Sequence, residues 1–257
     1  MVMFGLRGKV AFVTGATSGI GRATAIGFSK HGCVVIAAGR RDDEGQRTVD
    51  MIHAEGGEAL FIRLDIGIET EVSSAVSDII SRYGRLDCAV NCAGHDIAAS
   101  LMDFSTADYD AIFDANVKGL FLCLKHEIYA MQGRGGAIVN VGSVAAQMSD
   151  VGNSLYNASK SAARSLTRTA AAEAAKFGIR VNEVAPGPTW TPMLEGFLNN
   201  AKAAGSSFNL ETIAASVALG RIASPDEIAN PIIFLCSEQA SFITGASLTV
   251  DGGFLLG

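Results

Sequence analysis

The sequence predicts an α/β fold in one domain, a parallel sheet of about seven strands with helices on both faces. Two patterns carry that prediction. Short runs rich in Val, Ile and Ala recur as unbroken apolar segments, as expected of strands buried on both faces. Between them lie longer stretches whose apolar residues repeat at helical spacing. The strand runs are Val10-Ala11-Phe12-Val13, Val34-Val35-Ile36-Ala37, Ala59-Leu60-Phe61-Ile62, Cys88-Ala89-Val90, Ala137-Ile138-Val139-Asn140-Val141, Ile179–Val184 and Ser247–Val250. Helices are expected near 20–31, 43–55, 69–83, 106–131, 155–177 and 225–237. No repeat, low-complexity tract or Pro/Ser-rich linker interrupts the 257 residues, so a single domain spans 1–257.

Composition excludes several classes of function. With 49% apolar and 18% charged residues the chain is not disordered. Its 26 Asp and Glu against 20 Lys and Arg leave a charge of -6, which argues against nucleic acid or an anionic membrane as partner. No run of about 18 uncharged apolar residues occurs, so no membrane span is expected. The first strand begins so early, at Lys9-Val10, that no signal peptide is expected and the location reads as cytoplasmic. Cys33, Cys88, Cys92, Cys123 and Cys236 form no C-x-x-C pair, and the first strand-borne pair, Cys88 and Cys92, reads as buried. His31, His53, His95 and His126 show no metal-ligand spacing, so reduced thiols and no metal are expected.

Two stretches stand apart. Residues 186–212 carry Pro186, Pro188, Pro192, Trp190, Phe197 and Phe208 with Gly187, Gly196 and Gly205, the composition of a substrate lid. The helix near 155–177 has Ala and Ser around most of its circumference, which permits close approach of a second subunit or simply reflects high helix propensity.

Thr14-Gly15-Ala16-Thr17-Ser18-Gly19-Ile20-Gly21 joins the first strand to the first helix. Glycines there permit a tight turn and close backbone approach to a phosphate, and the helix start offers free N–H groups and the positive end of its dipole. This is a dinucleotide cradle, spaced G-x-x-x-G-x-G. After the second strand an acid would select NAD(H), but the chain has Gly39-Arg40-Arg41, whose planar guanidinium groups favour NADP(H) over NAD(H). Asp65, followed by Ile66 after the third strand, is placed to accept from an adenine amino group or to cap the next helix.

Ser143 follows the fifth strand, and Tyr156-Asn157-Ala158-Ser159-Lys160 opens the next helix. A spacing of four puts Tyr156 and Lys160 on one face. An ammonium near the phenol is expected to lower its pKa, making Tyr156 a general acid in ketone reduction or a base in alcohol oxidation. Ser143 would hold the substrate oxygen.

With these motifs the chain resembles the short-chain dehydrogenase/reductase family, over essentially its whole length. The resemblance rests on the Thr14–Gly21 turn, Asn91-Cys92-Ala93-Gly94, Asn116, Ser143, Tyr156/Lys160, Pro186-Gly187 and Asp251-Gly252-Gly253. It implies a Rossmann-like doubly wound fold and a catalytic tetrad in which Asn116 holds a water in a relay with Lys160. It further implies that Lys160 binds the nicotinamide ribose, and that Asn91, Ala93 and Gly94 fit against the cofactor. Cys92 stands where Asn is commoner. Pro186, Gly187, Thr189 and Thr191 match positions that hold the carboxamide and phosphate. A homotetramer is implied as well.

The substrate pocket is expected among His95, Ala145, Gln147, Met148, Asn153, Trp190, Met193, Leu194, Phe197 and Leu198, with His95 alternatively a solvent-facing loop residue. Mostly apolar and without Arg or Lys, such a wall suits a hydrophobic ketone or secondary alcohol. The leading expectation is an NADP(H)-dependent carbonyl reductase. The alternatives are a 3-oxoacyl-thioester reductase, an NAD-dependent alcohol dehydrogenase, and a non-catalytic nucleotide sensor. Phe177, where some thioester reductases are basic, weighs against the first alternative. Intact Asn116, Ser143, Tyr156 and Lys160 weigh against the last.

Overall fold

A computed structural model describes residues 4–203 and 209–256. In chain order the elements are β1 (Val10–Thr14), α1 (Gly19–Lys30), β2 (Val34–Gly39), α2 (Asp42–Ala54), β3 (Glu58–Arg63), α3 (Glu69–Tyr83), β4 (Cys88–Asn91), α4 (Thr106–Phe113) and α5 (Leu120–Met131). They continue with β5 (Gly136–Val141), α6 (Ser154–Ala174), β6 (Ile179–Pro186), α7 (Pro192–Ala203), α8 (Leu210–Ala215), α9 (Pro225–Cys236) and β7 (Ser247–Val250). The seven strands form one sheet in the order β3-β2-β1-β4-β5-β6-β7, parallel at every pairing. This is the doubly wound arrangement expected from the apolar strand runs.

Alternation along each strand divides the core into two layers. Val10 and Phe12 of β1 join Ile36, Ile79, Leu122, Ile138 and Val181 on the face covered by α3, α5 and α6. Ala11 and Val13 join Phe28, Ile52, Val139, Val184, Ile228 and Ile232 on the face covered by α1, α2 and α9. Each of these large side chains contributes about 1.5–3 kcal/mol through burial. Burial on both faces fails at β3 and β7, where Leu248 is 38% exposed. These are the outermost strands, with a sheet neighbour on one side only.

Two expectations about helices are corrected. The single helix over 106–131 is instead α4 and α5 separated by a π-helical turn, Asp114–Gly119. The stretch 186–212 holds α7 and α8, which its Pro and Gly content concealed; Pro192 is the first residue of α7, where its missing N–H costs nothing. Gly205 and Phe208 of the expected lid lie outside the described residues.

The chain leaves β1 for β2 and β3 on one side, then crosses back to β4 on the other. The crevice beyond the carboxyl ends of β1 and β4 is therefore the switch point of the sheet, where doubly wound folds bind ligands. Thr14 and Asn91 are register partners there, so the segments after both strands open into the same space.

Candidate active site

The glycine turn is held too tightly for side chains. A Cβ on Gly21 would lie 2.3 Å from the Gly15 carbonyl oxygen, and one on Gly15, at φ +69°, 2.7 Å from the Ala93 nitrogen. The turn leads into α1 with its first N–H groups uncapped: Ser18 makes no capping bond, and the first turn holds no acid. The helices α2 and α3, by contrast, begin with acids. An uncapped, acid-free helix start is an anion site. Behind the turn, Thr48 Oγ1 donates to the Ala16 carbonyl at 2.8 Å and accepts from Arg22 Nε at 2.9 Å, while Arg22 Nη2 also bonds the Thr17 carbonyl and Glu44. Sequence reading missed Arg22 and Thr48, because nothing in their spacing marks them as braces.

Arg40 and Arg41 both line the cavity above the turn, in different states. Arg41 Nη2 donates to Thr17 Oγ1 and Ser18 Oγ, each at 2.7 Å. Arg40 is exposed and makes no hydrogen bond or ion pair with any described residue. Asp65 does not cap α3, whose N-cap is Ile68; its Oδ1 accepts from Gly67 N–H at 2.9 Å in a local turn.

Ser143 follows β5 directly. Its Oγ accepts from Ala145 N–H at 3.1 Å, and the hydroxyl lies near enough to the Tyr156 phenol to favour its ionised form. Tyr156 and Lys160 lie one turn apart near the start of α6. Lys160 is buried, with Nζ 5.6 Å from the centre of the Tyr156 ring and donating to the Val141 carbonyl at 3.0 Å. The expected lowering of the phenol pKa by Lys160 is not found. Burial pushes Tyr156 well above the usual tyrosine range, nearby Asp96 adds to the rise, and only the Ser143 hydroxyl opposes it. Lys160 is itself lowered by burial and spends a hydrogen bond on a backbone carbonyl.

Asn91 sits elsewhere than expected. The Asn91 side chain faces away from the main cavity, donating to Glu127 Oε2 at 2.9 Å and Asn140 Oδ1 at 3.0 Å. Asn116 lies in the π-helical turn and clamps the His95 backbone, accepting from its N–H and donating to its carbonyl, both at 2.8 Å. Both asparagines, with Lys160, border a separate internal cavity of about 10 Å³, room for about one water.

The main cavity measures about 870 Å³. It is lined by Gly15, Thr17, Ser18, Gly19, Ile20, Gly21, Arg40, Arg41, Asp65, Ile66, Ala93 and Gly94 towards the turn, and by Ser143, Tyr156 and Lys160. Pro186, Gly187, Thr189, Thr191, Met193 and Phe197 line it from the segment after β6, and Ala145 and Asn153 from the segment after β5. His95, Gln147 and Trp190 are not on its wall. Asn116 holds the His95 backbone, Gln147 Nε2 donates to Thr249 Oγ1 at 3.3 Å, and Trp190 is 46% exposed with its backbone bonded to Ala223. In their place the wall includes Asp96, Asp150, Ile213, Ser216 and Phe254.

A family model described as Enoyl-(Acyl carrier protein) reductase matches residues 15–255. The chain is 38% identical over 257 residues to an A-factor type gamma-butyrolactone 1'-reductase (1S-forming) of Streptomyces virginiae, covering 98% of this chain and 97% of the relative. It is 36% identical over 256 residues to the 3-oxoacyl-[acyl-carrier-protein] reductase FabG of Thermotoga maritima, covering 98% and 99%. A crystal structure of a short-chain type dehydrogenase/reductase from Mycobacterium marinum superposes with a TM-score of 0.90 at 32% identity, covering 98% and 97%. The chain belongs to the short-chain dehydrogenase/reductase family.

As a short-chain dehydrogenase/reductase it is an oxidoreductase acting between CH–OH and C=O groups with a nicotinamide dinucleotide. Its residues fit that cofactor: an uncapped helix start, glycines that leave the turn bare, and two guanidinium groups at the rim. Gly94 belongs to the same floor, since a Cβ there would lie 3.2 Å from Asn116 Oδ1 and 3.7 Å from Lys160 Nζ. Among the described residues, no helix is long and apolar enough to cross a membrane, and no group of three or more His, Cys, Asp or Glu side chains is placed to hold a metal. The five cysteines are free thiols; Cys92 borders the cavity, just beyond β4, and burial pushes its thiol up to about 12.

Proposed function

We propose that this enzyme is an NADP(H)-dependent carbonyl reductase acting reversibly on a ketone or secondary alcohol with an apolar body. One observation carries the reading. A single cavity joins the bare glycine turn and the Arg40–Arg41 pair to Ser143, Tyr156 and Lys160, and ends among Ala145, Met148, Met193, Leu194, Phe197 and Ile213. The dinucleotide supplies or accepts the hydride when bound. The uncapped N–H groups of α1 take its pyrophosphate, and Asp65, through the oxygen not bonded to Gly67, accepts from the adenine. Arg40 and Arg41 take a 2′-phosphate. Thr189, Thr191 and the Pro186-Gly187 backbone border the nicotinamide end.

Ser143 Oγ, already engaged by Ala145 N–H, turns its own proton towards the cavity and holds the substrate oxygen. Tyr156 gives that oxygen its proton. A phenol raised by burial is fully protonated before reaction, the form that reduction needs. Lys160 returns the proton from the water-sized cavity it shares with Asn116. The segment 186–212 serves as the substrate lid within a single domain. A thioester reductase of the kind named for the Thermotoga relative is the second reading, and the acidic substrate end of the cavity disfavours an acidic carrier. Copies assembling into a homotetramer are supported by the exposed Tyr109, Phe121 and Tyr129 on α4 and α5.

The decisive experiment is paired titration of NADPH and NADH, followed by turnover of ketones and acyl thioesters. Tight NADPH binding with ketone turnover is expected; turnover confined to thioesters overturns the reading. Because Arg40 pairs with no described residue and reaches the cavity, Arg40→Asp is expected to shift the affinity ratio towards NADH by about 10-fold or more. An unchanged ratio would transfer the 2′-phosphate to Arg41.

A further inference from the structure

The wall near Tyr156 is not purely apolar. Asp96 lines the cavity there, one residue beyond the His95 backbone that Asn116 clamps. Its Oδ1 is buried from water and has no hydrogen-bond partner. Asn153, also on the cavity wall, likewise has a buried Oδ1 without a partner, and Asp150 is a further lining residue. Both of those oxygens are shut off from the cavity as well as from water; the acceptor this end offers is the other Asp96 carboxyl oxygen, which is not shut off, beside the donors Ser143 and Tyr156. Among the described residues the lining cations are Arg40 and Arg41, at the glycine turn, and Lys160, which is bonded to the Val141 carbonyl. An ionised carboxylate oxygen on a cavity wall can only accept, so it pairs with a donor that the cavity receives.

We infer that Asp96 determines specificity: it accepts a hydrogen bond from a hydroxyl on the carbon next to the reacting carbon, and it turns away anionic substrates. The preferred substrate is accordingly an uncharged α-hydroxy ketone, or the matching vicinal diol, on an apolar frame. This rests on the carbonyl-reductase reading and narrows its substrate class. Asp96 is not asked to move a proton in the reaction. The charge of Asp96 is felt at the Tyr156 phenol, which places the two on the same part of the wall, and His95 and Lys160 are the cationic or titratable groups facing Asp96 in turn. A substrate hydroxyl donating to Asp96 therefore arrives beside the oxygen that Tyr156 serves. A carboxylate in its place would meet Asp96, whose facing cation, Lys160, is already bonded to the Val141 carbonyl.

The test compares kcat/KM with NADPH for cyclohexanone, 2-hydroxycyclohexanone and 2-oxocyclohexanecarboxylate. The native enzyme is expected to prefer the hydroxy ketone over cyclohexanone by about 10-fold or more, with the anion poorest, because a site built to bond a hydroxyl rejects the analogue lacking it. In Asp96→Ala the preference should fall to about one. In Asp96→Asn, which keeps an acceptor but loses the charge, part of the hydroxyl preference should remain while the anion improves. Calorimetry of trans-1,2-cyclohexanediol against cyclohexanol reads the same contact without turnover, and Asp96→Ala should erase the diol's advantage there too. Turnover of cyclohexanone with no hydroxyl preference, or a preference that survives in Asp96→Ala, overturns the inference alone. No turnover of any of the three by the native enzyme overturns the carbonyl-reductase reading and this inference together.

Discussion

Tyr156→Phe is expected to lower kcat for ketone reduction by about 10²- to 10⁴-fold while NADPH affinity stays within about twofold of native. The phenylalanine keeps the ring that packs beneath Lys160 Nζ and removes only the hydroxyl beside Ser143. The pyrophosphate cradle, formed by the turn after β1, does not involve that hydroxyl, so binding and chemistry should separate. Stopped-flow turnover and equilibrium titration of the same preparation check it. A variant with near-native kcat would move the proton donor elsewhere in the cavity. The pH profile should follow as well. With the phenol held high by burial, reduction should not lose activity through Tyr156 ionisation anywhere below the usual tyrosine range.

Glu127→Gln is expected to stabilise the protein at alkaline pH and to have little effect below pH 4.5. Glu127 lies on α5, wholly buried, with one carboxyl oxygen accepting from Asn91 and the other without a partner. Burial pushes its pKa from 4.5 to about 7, against the opposing bond from Asn91. The titratable group beside it is the buried Cys123 thiol, one helical turn away, and no cation offsets it. Below 4.5 both folded and unfolded states carry the proton and the carboxyl costs nothing. As pH rises from 4.5 through about 7, the unfolded chain ionises while the native state must keep its proton or bury a charge, so stability falls. Above that window the cost levels off at about 3 kcal/mol, the free-energy equivalent of the gap between the two values. Urea denaturation of native and variant proteins from pH 4 to 9 should show a difference that grows through the window and then holds constant. A difference independent of pH would mean that Glu127 acts by packing alone. The setting matters for the site: Asn91 and Asn140 are register partners at the ends of β4 and β5, and Asn140 continues the chain of bonds to Thr167 at 2.9 Å. Glu127 thus closes a polar network that fastens the strand ends from which the cavity floor and Ser143 project.

How much of this was legible in sequence depended on the range of the interactions involved. Strand runs, the glycine turn and the Tyr156–Lys160 spacing are written within a few residues, and their backbone consequences follow from local sterics and helical period. So β1, the turn and α1 appear where expected, as do the parallel sheet and the shared face of Tyr156 and Lys160. The loop after β4 shows the opposite case. His95 was the expected wall residue and Asp96 went unnoticed. Which of the two neighbours faces the cavity is set by Asn116, 21 residues further on, bonding the His95 backbone from a π-helical turn. No period or motif in 106–131 marks that turn.

By itself, then, the sequence determined the fold class, the order of the seven strands along the chain, the cradle between β1 and α1 and the identity of Ser143, Tyr156 and Lys160 as neighbours. All of these are consequences of short-range periodicity and of turns that only glycine can make. Tertiary structure decided that Asn91 serves a buried carboxyl rather than the main cavity, that Lys160 bonds a carbonyl rather than the phenol, that Arg41 is committed while Arg40 pairs with no described residue, and that acids line the substrate end. Each of those depends on side chains brought together across the sheet from distant segments, where burial and hydrogen-bond geometry, not local spacing, set the charge and the partner.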